Sequence, residues 1–131
     1  MFQLNNLTDS LIDRKFFYKI VKKVLEGEKS KDDKELSIVL VGARKMRELN
    51  KKYRKKNKAT DVLAFSYGEI VICVQEVKKN AKKYKLALKE ELARVLIHGI
   101  LHLSGYNHEA GGKEEKKMKE REENYLLPIK F

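Results

Sequence analysis

Residues 61–74 read DVLAFSYGEIVICV. Two runs rich in β-branched and aromatic residues, Asp61 to Phe65 and Glu69 to Val74, flank the turn-forming triplet Ser66-Tyr67-Gly68. That pattern predicts a hairpin. Upstream, Leu36 to Val41 (LSIVLV) reads as a further strand, and FQLN near the start as a short one. Helical stripes lie between and after them. Ile12, Phe16, Ile20 and Val24 recur at steps of four within 11–26, with Phe17 and Val21 beside them. Ala43 to about Arg54 carries Met46, Leu49 and Tyr53 on its expected inner face, and 27–35 and 55–60 read as loops. A helix over 75–84 precedes the longest one, 87–103, whose core is Leu88, Leu92, Val95, Leu96 and Ile100. Gly105 is placed to stop it. Gly111-Gly112 turns the chain into a last helix over 113–126, with Met118, Tyr125 and Leu126 inward. Strands and helices in this order predict one α+β domain spanning 1–131. It has a single small mixed β-sheet of about four strands packed with about five helices.

All three histidines of the chain fall within 98–108, HGILHLSGYNH. Residues four apart lie one turn above each other on a helix, so His98 and His102 can face one point. Gly105 lets the chain reverse and brings His108 toward it. Three neutral imidazoles leave one position of a tetrahedral zinc site for water, as catalytic sites do. The zinc site is therefore expected on the long helix after the sheet. A histidine on an apolar face is commonly a satisfied core residue, but three so spaced form a motif. The spacing also matches the zinc-protease pattern H-E-x-x-H-x-x-G-x-x-H. Gly99 stands where that pattern has its glutamate, so the peptidase base is missing. A phosphodiester substrate is expected instead.

The charge agrees. Lys plus Arg number 30 against 19 Asp plus Glu, a formal net charge of +11, which favours a polyanionic partner. Residues 44–58 carry nine basic groups and one acidic, and 78–89 carry six basic and none acidic. Each stretch contains a tyrosine, Tyr53 or Tyr84, able to stack on a base. Lys51, Lys52, Arg54, Lys55, Lys56, Lys58, Lys82 and Lys83 are the candidate nucleic-acid contacts; a solvated helix face is the plainer account of most of them. A single cysteine, Cys73, rules out an intrachain disulfide and reads as a small core residue. No signal-peptide pattern opens the chain and no apolar run reaches membrane-span length. A cytoplasmic protein, monomeric and away from membranes, is expected.

HGILHLSGYNH resembles the H-G-x-L-H-L-x-G-Y-D-H signature of the YbeY family, metal-dependent endoribonucleases of ribosomal RNA maturation. LNKKYRKKNKATDVLAF resembles that family's L-N-x-x-Y-R-x-x-x-x-x-T-D-V-L-S-F segment, and GEIVIC its G-D-I-V-I-[SC] strand. FQLNN is similar to its first strand, and Met118, Glu122 and Glu123 to its M-x-x-x-E-E pattern. The resemblance implies that His98, His102 and His108 bind zinc and that Arg54 holds the phosphate. Arg54, His98 and His102 are then the catalytic set. It further implies a single-strand-selective endoribonuclease acting on small-subunit ribosomal RNA precursors and in ribosome quality control, with RNA and ribosomal proteins as partners. Asn107 stands in place of the signature's aspartate, Ala64 of a serine and Glu69 of an aspartate. The 66–68 turn is shorter than the family's usual loop. A ribosome-associated factor with structural zinc, or a metal hydrolase of another substrate, are the alternatives from residues alone.

Overall fold

The computed structural model describes residues 2–28, 36–105 and 112–131. The expected hairpin is present: β3 (Val62–Phe65) pairs antiparallel with β4 (Glu69–Cys73), with Leu63 opposite Val71. The turn is tight. Gly68 donates to the Phe65 carbonyl at 2.9 Å and has φ +105°, a backbone region that suits glycine. β1 (Phe2–Asn6), β2 (Leu36–Val41) and β4 run parallel, so the mixed four-stranded sheet has the order β1-β2-β4-β3.

Parallel pairing requires long crossovers, and helices supply them. α1 (Arg14–Gly27) joins β1 to β2, and α2 (Ala43–Arg54) leaves the end of β2. α3 (Val74–Lys83) follows β4 directly, then α4 (Leu88–Leu103) and α5 (Gly112–Leu126). The strands alternate between two apolar faces, as sheets covered on both sides do. Ile38, Leu40, Ile70 and Ile72 point into the main core with Phe17, Val21, Leu96 and Ile100. Val41, Val71 and Cys73 point the other way, onto Met46 of α2. Burial pushes the Cys73 thiol up, which fits an inert core residue.

Local signals explain the boundaries. Asp13 caps α1 by accepting from the Phe16 amide at 3.2 Å, so that helix starts later than its apolar stripe. Gly42 has no side chain to cap α2; the Gln75 amide oxygen accepts from the Ala43 amide at 2.9 Å instead. Gly105, with φ +107°, follows the end of α4 as expected. Tyr53 departs from its expected inward place. It is exposed, and Asn50 is buried in its stead, donating through Nδ2 to the Lys58 carbonyl at 2.9 Å. Tyr53 packs instead edge-on against Phe65, with ring centroids 5.1 Å apart.

α4 is the axis of the helical layer. It packs against α1, α3 and α5 and against β3 and β4. Its approach to the sheet runs through Gly99, where a Cβ would stand 3.0 Å from Ile70 Cγ2 and 3.2 Å from Ile70 Cδ1. Position 99 therefore faces the core, and no side chain placed there could act as a base in an open site. Gly99→Glu is expected to destabilise the fold by roughly 3 kcal/mol or more, because it drives a carboxylate into apolar packing. Urea denaturation measures that loss; a variant of unchanged stability would refute the close approach.

Candidate active site

The C-terminal half of α4 carries His98 and His102 one turn apart, both partly exposed. Behind His98 stands α5. The Glu122 carboxylate, largely buried, meets His98 Nδ1 in a short hydrogen bond. An imidazole whose Nδ1–H is held by a carboxylate has its Nε2 directed away with a lone pair available, the arrangement common behind metal-binding histidines. The donor set thus fits a metal ion of zinc type: two imidazoles at helical spacing, the first with a carboxylate behind it. Among the described residues no three His, Cys, Asp or Glu side chains are grouped for a metal. The third expected donor, His108, lies outside the described residues, as do Asn107 and Glu109.

α5 is itself anchored. The Glu28 carboxylate accepts short hydrogen bonds from Arg121 and from the Tyr125 hydroxyl, tying α5 to the end of α1. Met118 and Tyr125 are buried on the same face as Glu122. The sequence carried a signal for Glu122: a carboxylate between Met118 and Tyr125 at helical spacing interrupts an apolar stripe.

The two histidines open onto different hollows. His102 lines one of about 420 Å³ with Tyr53, Arg54, Ala64, Phe65, Ser66 and Leu103. Arg54 reaches this place because it ends α2; Lys55 then takes the left-handed conformation, with φ 57°. The structure thus places Arg54 and His102 on the lining of one hollow. Lys51, Lys52, Lys55, Lys56 and Lys58 are exposed around that helix end but do not line the hollow. Lys82 and Lys83 are exposed at the end of α3, and Lys83 covers Tyr84 at 5.4 Å.

His98 lines a smaller hollow, about 150 Å³, with Asp61, Val62, Glu91, Arg94, Val95 and Glu122. Glu91 is 4% exposed, two turns before His98. Its Oε1 lies 3.6 Å from Arg94 Nε. Burial raises the Glu91 carboxyl above its ordinary range, an effect only partly offset by the Arg94 charge.

A family model described as endoribonuclease YbeY matches residues 3–130. An endoribonuclease YbeY of Aquifex aeolicus is 46% identical over 103 residues, which cover 71% of this chain and 68% of the relative. One from Petrotoga mobilis is 40% identical over 122 residues, covering 88% and 85%. One from Buchnera aphidicola is 36% identical over 131 residues, covering 92% and 80%. The solution structure of TM1509 from Thermotoga maritima superposes with a TM-score of 0.70 at 31% identity, over 96% of this chain and 87% of that one.

Two outcomes are expected. In the metal-free protein, neutral His98 carries its proton on Nδ1, and Glu122→Gln shifts it toward the Nε2–H form. Imidazole ¹⁵N chemical shifts report the tautomer; identical shifts in the two proteins would break the pairing. Glu91, with its folded pKa raised, binds a proton more readily folded than unfolded. Its contribution to stability is full below its ordinary value of 4.5 and lost as pH rises through the raised value. Metal-free Glu91→Gln should therefore gain stability over the parent at neutral pH and lose that gain in acid. Denaturant midpoints across pH test this; a gain that grows in acid would reverse the sign.

Proposed function

This chain belongs to the endoribonuclease YbeY family, and from that premise we propose that it cuts single-stranded segments of ribosomal RNA precursors at a zinc site held by His98, His102 and His108. The observation that carries this reading is the meeting of Arg54 and His102 in one hollow. A guanidinium grips two phosphate oxygens in fixed geometry, and it meets the charge that grows on them as the bond breaks. Glu122 holds the His98 ring so that Nε2, not Nδ1, serves as the donor. Zinc, when bound, supplies Lewis acidity toward the phosphate and lowers the pKa of the attacking water. His98 and His102 belong to the catalytic set as its ligands.

The exposed lysines Lys51, Lys52, Lys55, Lys56 and Lys58, with Lys82 and Lys83, supply a positive surface for the flanking phosphates. Ribosomal RNA, in small-subunit maturation and in ribosome quality control, is the substrate we assign. Ribosomal proteins are the partners. A cytoplasmic monomer is the working form, and among the described residues no helix is long and apolar enough to cross a membrane.

The test compares Arg54→Ala with Lys56→Ala in single-turnover RNA cleavage at saturating enzyme. Arg54→Ala should lose about a hundredfold or more in rate with bound zinc unchanged. Lys56→Ala should lose less than about threefold and mainly alter salt dependence. His98→Ala should lose tight zinc binding, measured by metal content after dialysis. Equal rates for the Arg54 and Lys56 variants would remove Arg54 from the site. A protein that holds zinc and binds RNA yet cuts none would be a non-catalytic assembly factor.

A further inference from the structure

Two aromatic rings, Tyr53 and Phe65, line the Arg54–His102 hollow, and a third, Tyr67, stacks on Phe65 at its edge without lining it. Phe65, which lines the hollow, is in ring contact with two other aromatics. Tyr53 meets it edge-on, with centroids 5.1 Å apart and planes at 74°. Tyr67 stacks on it at 5.6 Å with planes at 18°. Phe65 is half-buried against the α2-side core, but Tyr53 is 53% exposed and Tyr67 is 69% exposed. With Phe65 on one face of the Tyr67 ring, that exposure leaves the opposite face to water.

Nor is Tyr67 a loose loop tip. The three-residue turn is held by Gly68 donating to Phe65 and by Ser37 donating to the Gly68 carbonyl at 2.8 Å. The Tyr67 hydroxyl donates to Glu69 at 3.1 Å. Its donor is thus engaged within the protein, and what remains to offer a ligand is a flat, preset ring. On the other flank Lys52 Nζ lies 5.2 Å from the Tyr53 centroid, and Arg54 lines the same hollow as Tyr53. Positive charge and open aromatic faces therefore adjoin at one rim.

We propose that Tyr53, Phe65 and Tyr67 form a stacking platform for an unpaired nucleobase next to the phosphate held by Arg54. This rests on the nuclease reading above and supplies the physical basis of its single-strand choice. A paired base has both faces covered by its neighbours in the helix, whereas an unpaired base has a face to give. The platform accepts any of the bases, because stacking reads a π-face and not a hydrogen-bonding edge. A peptide, which lacks the phosphate charge, does not match the basic rim.

The experiment measures binding of a labelled single-stranded DNA oligonucleotide, the same strand with abasic positions, and the matching duplex, by fluorescence anisotropy with the full chain. Tyr67→Ala should weaken the single strand by a factor of about five or more. Tyr67→Phe should restore it to within about twofold. The abasic strand and the duplex should bind Tyr67→Ala and the parent alike. Tyr53→Ala, on the opposite flank, gives a second and independent loss. Losses that are equal on abasic and intact strands, or absent on the intact strand, would overturn the platform. Parallel RNA cleavage separates the two readings. Cleavage without base-dependent binding leaves the nuclease and removes the platform; base-dependent binding without cleavage does the reverse.

Discussion

The rest of the structure depends on how closely α4 lies against β4. At Gly99 the helix presents no side chain, and Ile70 fills the space a Cβ would need. With that contact made, Ile100 stays in the core and the two histidines reach its edge, both partly exposed. His98 turns toward α5 and Asp61, and His102 toward Arg54. The missing protease glutamate and the close packing are thus one fact seen twice. The position that would hold a peptidase base is consumed by the core, and the histidines gain a rigid seat in return.

A second layer of constraint comes from outside α4. α5 carries mostly charged residues and contributes Met118, Glu122 and Tyr125 inward. Its hold on α1 through Glu28, Arg121 and Tyr125 is polar and partly solvated. Such a clamp contributes less than core burial but is directional. Direction is what the His98–Glu122 contact requires, since a small rotation of α5 would carry the carboxylate off the ring.

Much of this was legible in the sequence. Strand alternation and helical stripes locate every element from β1 to α5, because each buries a periodic apolar face. The histidine spacing and the Arg54 segment single out residues in the sequence, and two of them, Arg54 and His102, line one hollow. A helical stripe does not separate Tyr53, which is exposed, from Asn50, which is buried with its amide on the Lys58 carbonyl. Glu122 is marked as a carboxylate within an apolar stripe, but its partner is not readable. The signature pairs it with no partner, and its contact with His98 spans 24 residues of sequence and two helices. Nor does the sequence reveal that Phe65, the last residue of β3, stacks with Tyr67 of the turn, since that depends on the backbone of the tight Ser66–Gly68 turn.

The orientation of the first histidine is set by a part of the fold that does not carry it. α5 reaches the rest of the molecule through Met118, Tyr125 and the polar clamp on Glu28. A change at that clamp is therefore felt at the His98 ring, which Glu122 holds, although Glu28 stands seventy residues earlier in the chain. The end of α1 is in this sense a remote handle on the site.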